Sequence, residues 1–204
     1  MRALLAICGL LLGLTALGQQ CCTLHPPKAA QNVSKRVTDP GGVLTVPVVV
    51  HVVHLGEAVG DGTNISAAKI EQALELVNDD FRKAPGTPGD GIGVDTEIEF
   101  CLASRDPEGN PTTGIVRRDG SGLEQGDESY ALDGVTANTF NTPGISDSYL
   151  KNTLGMWDRD RYCNIWVVSE IGGNNAAGGI QGYAYLGAGS SLDGVVQLYN
   201  TFGT

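Results

Sequence analysis

Charge, aromatic side chains and histidine are all scarce in this chain of 204 residues, and each shortage narrows its function. Charged residues make up 18%, with 13 Lys and Arg against 23 Asp and Glu, a formal net charge of −10. A surface of that sign repels phosphate backbones and anionic lipid headgroups, so nucleic acid is excluded as a partner. The three histidines, His25, His51 and His54, leave little imidazole for metal or proton chemistry. No CxxC spacing offers a thiolate zinc site or a thioredoxin-type pair. No GxSxG elbow presents a nucleophilic serine, and Gly189-Ser190-Ser191 reads as an ordinary loop. Internal repeats and low-complexity tracts are also missing.

What is present is a globular composition, 41% hydrophobic, with 29 glycines. That is about twice the average glycine share and predicts many turns between short strands. At the N-terminus, Arg2 precedes an apolar run from Ala3 to Leu17, followed by Ala16-Leu17-Gly18. A basic start, an apolar stretch and a small-x-small site predict a secretory signal peptide over 1–18, cut after Gly18. The run is too short and wrongly flanked for a transmembrane helix, so the expected product is secreted and not an integral membrane protein. Cys8 leaves with the signal, so Cys21, Cys22, Cys101 and Cys163 remain in a compartment that permits disulfides. Four cysteines allow three pairings, and the sequence does not choose among them beyond disfavouring the strained vicinal pair Cys21–Cys22.

Residues 19–42 are polar and broken by Pro26, Pro27, Pro40, Gly41 and Gly42, which predicts a leader arm or short pro-segment. The domain proper is expected over 43–204. Val43 to Leu55, rich in β-branched residues on both faces, predicts a central strand. Ser66 to Arg82 predicts a helix with Ile70, Ala73, Leu74, Val77 and Phe81 on one buried stripe. Ser66 is its expected N-cap, and Ile65 with Ile70 a hydrophobic staple. Further strands are expected over Glu97–Ala103, Ile115–Arg118, Tyr162–Val168, Gly182–Leu186 and Val195–Tyr199, with 119–145 a long surface excursion. The order gives an α/β (α+β) fold: a twisted, mixed sheet of about five or six strands with one backing helix.

Several constellations invite chemistry and are better read plainly. His51 and His54 form an HxxH spacing, yet no glutamate follows His51 and the valine run makes the segment a strand. Residues three apart on a strand point to opposite faces, so these two do not share a metal and no metal ligand is assigned. Asp79-Asp80 and Asp158/Asp160 are carboxylate pairs, but adjacent helical positions diverge, and a solvated role fits them. The turn Asp106 to Asn110 carries oxygen ligands suited to weak calcium binding without the spacing of a calcium loop, and a plain turn is expected. Asn32-Val33-Ser34 and Asn64-Ile65-Ser66 are glycosylation sequons.

Several stretches, in order, resemble the pappalysin family of metzincin zinc endopeptidases, in its ulilysin-like branch. They include Val46-Pro47-Val48-Val49-Val50-His51-Val52-Val53, Asn64-Ile65-Ser66, and Leu76-Val77-Asn78-Asp79-Asp80-Phe81-Arg82. Ile98-Glu99-Phe100-Cys101-Leu102-Ala103 and Asp106-Pro107-Glu108-Gly109-Asn110-Pro111 follow. Tyr162-Cys163-Asn164-Ile165-Trp166-Val167, Gly178-Gly179-Ile180-Gln181-Gly182-Tyr183-Ala184 and Asp193-Gly194-Val195-Val196 complete the series.

The resemblance implies the upper subdomain of a catalytic domain, with peptide or protein substrates and a zinc cofactor. In that family an HExxHxxGxxH helix follows the last strand, and here Phe202-Gly203-Thr204 stands where it is expected to begin. No catalytic residue or zinc ligand of the family has a counterpart, so these residues alone are expected to be inactive. The resemblance also implies that Gly182, Tyr183, Ala184 and Tyr185 form an edge strand that pairs with an extended substrate through its backbone. The same four residues read equally as an ordinary edge strand. The alternative to a metalloendopeptidase portion is a non-catalytic module that holds peptides by strand pairing.

Overall fold

The computed structural model describes residues 42–137, 141–176, 178–185 and 190–203. The expected signal peptide and all but the last residue of the leader arm lie outside them, as do Asn32 and Leu186. Leu44–His54 forms β1, and Val48, Val49, Val50, Val52 and Val53 are completely buried in it. Each such valine stabilises the fold by roughly 1.5–3 kcal/mol relative to an exposed one, which is why a strand apolar on both faces ends up central.

Around β1 assemble β2 (Ile98–Leu102), β3 (Ile115–Asp119), β8 (Cys163–Val168), β10 (Val195–Leu198) and β9 (Gly182–Ala184). The strand order is β2-β1-β8-β10-β9, with β3 also on β1. β2 covers the first half of β1 (Leu44 to Val48) and β3 the second (Val50 to His54). Every pairing in this six-stranded sheet is parallel except β9 with β10, which is antiparallel. The expected mixed sheet with one long backing helix is therefore present.

That helix is α1, Ala67–Phe81, with Ser66 capping it by accepting from the Lys69 amide at 3.2 Å. Ile65 and Ile70 pack in one cluster with Val48, Val50, Val52 and Val167, as a staple requires. The stripe is shorter than its periodicity predicts. Ile70, Ala73 and Leu74 are buried, but Val77 and Phe81 are 39% and 37% exposed. The C-terminal half of α1 runs beside a groove of about 350 Å³, lined by Leu74, Val77, Phe100, Ile165, Val195 and Phe202, rather than against a continuous floor.

The region 119–145 corrects the sequence reading, because it is not a surface excursion. It contains the β4–β5 hairpin (Glu124–Gln125, Glu128–Ser129), α2 (Tyr130–Asp133), and β6 (Val135–Thr136) paired in parallel with β7 (Ile145–Ser146). Helix α3, Asp147–Leu154, follows directly and was not anticipated. Tyr130, Val135, Ile145 and Leu150 from this stretch pack against Val53, Trp166, Val168, Val196 and Leu198 on the sheet face opposite α1. Tyr130 donates from its hydroxyl to the Val53 carbonyl at 2.8 Å and accepts from the Ser169 amide at 3.0 Å. At Gly134, φ is 64° and an added Cβ would lie 2.1 Å from the Glu170 carbonyl oxygen, so only glycine lets the backbones approach this closely.

Cys163 carries a free, half-buried thiol, so Cys101 and Cys163 are not joined to each other. No helix among the described residues is long and apolar enough to cross a membrane.

Candidate functional site

Strand β9 closes the sheet at one end, with β10 on one side and no other strand beside it among the described residues. Tyr183 stands opposite Val196, Gly182 opposite Gln197 and Ala184 opposite Val195. Just outside the strand, the Leu198 amide donates to the Gln181 carbonyl at 3.0 Å. Hydrogen-bonded pairs alternate along an antiparallel ladder, so Gln181 and Tyr183 direct their N–H and C=O groups inward to β10. Gly182 and Ala184 therefore direct theirs outward, at the open edge. Both are exposed, and both lie on the groove side of the sheet with Gln197 and Val195, which also border that groove. Their small side chains leave the approach from that side clear.

Tyr183 points the other way and packs against the Trp166–Leu198 cluster. Burial, then the nearby Asp147 carboxylate, pushes its phenol far above the ordinary range. Just past the strand, the Tyr185 hydroxyl donates to Asp147 Oδ2 at 2.7 Å. Asp147 and Lys151 are one turn apart on α3, both with fully buried side chains and a 3.4 Å contact between Oδ2 and Nζ. Lys151 also donates to the Leu192 carbonyl at 2.8 Å and sits 4.9 Å above the Tyr185 ring. Burial pulls its ammonium pKa down, against the Asp147 carboxylate that holds it up. Gly182, Tyr183 and Ala184 thus lie in the edge strand, whereas Tyr185 lies just past it and turns to Asp147, and the sequence reading had not singled out Asp147 or Lys151. The signal for Asp147 and Lys151 was an i, i+4 acid–base pair behind the N-cap Ser146.

The histidines lie elsewhere and apart. His51 is buried, stacked on Trp166 with centroids 4.0 Å apart, and its Nε2 meets Asn164 Oδ1 at 2.9 Å. Asn164 donates from Nδ2 to the Trp157 and Tyr162 carbonyls, which makes Oδ1 the acceptor and Nε2 the protonated ring nitrogen. Burial lowers its pKa to about 4 despite the Asn164 bond, with Arg118 lowering it further. His54 is at the strand end, with Nδ1 accepting from the Gly56 amide at 3.0 Å. The two therefore face apart as the strand period demands, and they do not fit a zinc site. The described residues contain no cluster of three or more metal-ligating side chains.

The other constellations are equally occupied. Asp106 accepts from the Asn110 amide at 2.7 Å and its Nδ2 at 3.1 Å, closing the turn on itself. Asp158 accepts from the Asp160 amide, which makes that pair a local turn. The sequon residue Asn64 is buried, donating to the Glu57 carbonyl and accepting from Arg117.

No family profile and no curated protein sequence matches the chain. Solved structures of mirolysin, a metalloprotease of the pappalysin family, do match it. Mirolysin in complex with a compound is 31% identical, with a TM-score of 0.56 over 79% of this chain and 54% of that one. Mature mirolysin of Tannerella forsythia in complex with a cleaved peptide is 30% identical, with a TM-score of 0.57 over 80% and 56%. A promirolysin variant from the same organism is 30% identical, with a TM-score of 0.53 over 80% and 49%. The chain has the upper-subdomain fold of a pappalysin-family metzincin. It spans about half the length of the mirolysin chains it matches.

Proposed function

We propose that these residues are the substrate-binding half of a secreted zinc metalloendopeptidase, in which an extended peptide adds to β9 as an antiparallel strand. The zinc ligands would come from residues outside these 204. The observation that carries the reading is the edge that no other described strand occupies, where Gly182 and Ala184 direct backbone donors and acceptors outward beside a groove. Strand addition of this kind takes affinity from main-chain bonds and is tolerant of side chain, which suits a protease of many peptides. The mirolysin complex with a cleaved peptide supports a peptide as the ligand class.

Secretion through removal of 1–18 belongs to the same reading, as does a disulfide that pairs Cys101 with a cysteine other than Cys163, whose thiol is free.

Ala184→Pro tests the edge. Proline is tolerated where a strand N–H faces solvent, so the fold should survive while the outward donor is lost. Binding of fluorescein-labelled β-casein should weaken by about tenfold or more, as expected for one lost hydrogen bond and a disturbed register. Unchanged binding would remove β9 from the site. Sequencing the transcript beyond Thr204 tests the enzyme half of the reading: an in-frame HExxHxxGxxH supports it. A stop without that motif leaves a non-catalytic peptide-binding module as the function.

A further inference from the structure

The edge strand is short for the task proposed for it. Three residues paired on one side only give few bonds to hold a binding edge in place, and such strands fray. A frayed strand must be ordered when a peptide adds to it, and that cost is subtracted from affinity.

The structure supplies an anchor at both ends of the β9–β10 connection. Where the chain leaves β9, the Tyr185 hydroxyl donates to Asp147 Oδ2 at 2.7 Å. Where it returns towards β10, the Leu192 carbonyl accepts from Lys151 Nζ at 2.8 Å. Asp147 and Lys151 contact each other at 3.4 Å, and the ammonium lies over the Tyr185 ring. Both side chains have zero exposure, an expensive place for two charges unless each has further partners. Those further partners lie on the connection that carries the edge strand.

The platform beneath is well fixed. Helix α3 is capped by Ser146, whose Oγ accepts from the Tyr149 amide, and the Ser146 amide donates to Gln125 Oε1 at 2.7 Å. Leu150, between the two charges, is buried in the Trp166 cluster.

We infer that Asp147 is a positioning residue for peptide binding: with Lys151 it clamps both ends of the β9–β10 connection and holds the edge strand ready for an added strand. This rests on β9 being the peptide-binding edge. The pair touches no substrate and acts through the strand it holds, so its removal should change peptide affinity more than global stability.

Two variants of the full chain test this without depending on one fold outcome. Tyr185→Phe removes one hydroxyl and keeps the ring over Lys151. The double variant Asp147→Leu with Lys151→Met removes both charges together, which a buried pair commonly tolerates better than loss of one partner. Fluorescein-labelled β-casein should bind about tenfold more weakly to each. Hydrogen exchange should accelerate at the Val196 and Leu198 amides, which face β9, and remain slow at Val50 and Val167. Unchanged exchange at Val196 and Leu198 overturns the clamp. Faster exchange with unchanged casein affinity also overturns it, because the pair is then merely structural. Failure of the wild-type chain to bind casein, or wild-type affinity in Ala184→Pro, would instead strike the edge-binding reading, and exchange would still decide whether the clamp exists.

Discussion

On one face of the main sheet, Trp166, Val168, Val196 and Leu198 meet Tyr130, Val135, Ile145, Leu150 and Ile171 in a single closed cluster. On the other face, Ile65, α1 and Phe202 cover Val48, Val50, Val52 and Val167, and a groove lies beside them. The same strands supply both faces, so strand composition does not separate them. The difference lies in what the connections do: residues 119–154 fold back as a lid of short elements, while nothing described lies over Ile165 and Val195 beside α1. One face is thus built for stability and the other remains available for a ligand or a further structural element.

Substitutions that probe the two faces should differ accordingly. Trp166→Ala, in the closed cluster, should cost about 3–5 kcal/mol in urea denaturation, because the cavity left by an indole in a fully packed site does not collapse. A loss below about 1 kcal/mol would show that face to be loosely packed.

The next effect is read by pH. His51 is held neutral to about pH 4 in the folded chain, against an ordinary value of 6.5. Between those values the unfolded chain binds more protons, so stability is unaffected above about pH 6.5 and falls as pH is lowered. The total loss on reaching pH 4 is about 3 kcal/mol. Melting temperatures measured from pH 7 to pH 4 should show this slope, and His51→Gln should flatten it relative to wild type. An equal slope in both proteins would assign the acid sensitivity to carboxylates instead.

Tyr130→Phe leaves the Val53 carbonyl and Ser169 amide without their shared partner, and should cost about 1–3 kcal/mol. At the small end, Leu76→Lys on the open side of α1 should change stability by less than about 0.5 kcal/mol, since Leu76 is already 39% exposed. A large loss there would mean that the groove is closed in solution.

Legibility in the sequence followed the same division. The valine run of β1 announced itself as an unbroken β-branched stretch buried on both faces, the α1 stripe with its Ser66 cap through its helical period, and β2, β8 and β10 as short apolar runs. The short edge strand was legible mainly through the resemblance that Gly182 to Tyr185 carry. The lid was hidden for a physical reason. Tyr130, Val135 and Ile145 are spaced irregularly, and the apolar Leu132 between the first two is exposed, so no window shows a period. Helix α3 was hidden because two of its buried residues, Asp147 and Lys151, are charged. Their burial becomes explicable only when the Tyr185 hydroxyl and the Leu192 carbonyl are in place. At the C-terminal end of α1 the period overstated burial, since Val77 borders the groove and Phe81 meets the Phe100 ring yet stays partly exposed.

The position of β1 has a consequence for the order in which the molecule is made. It is the first of the described elements to be synthesised, yet its partner β8 lies far along the chain: His51 and Asn164, which join the two, are 113 residues apart. While the ribosome is still translating the intervening residues, the valines have α1, β2 and β3 as neighbours and a bare edge where β8 will pair. Long-range parallel pairing of this kind is slow, and an apolar strand waiting with an open edge is a template for association with other chains. The nascent chain is therefore most vulnerable between the emergence of His54 and that of Cys163, and a chaperone that shields extended apolar segments would act on it in that interval.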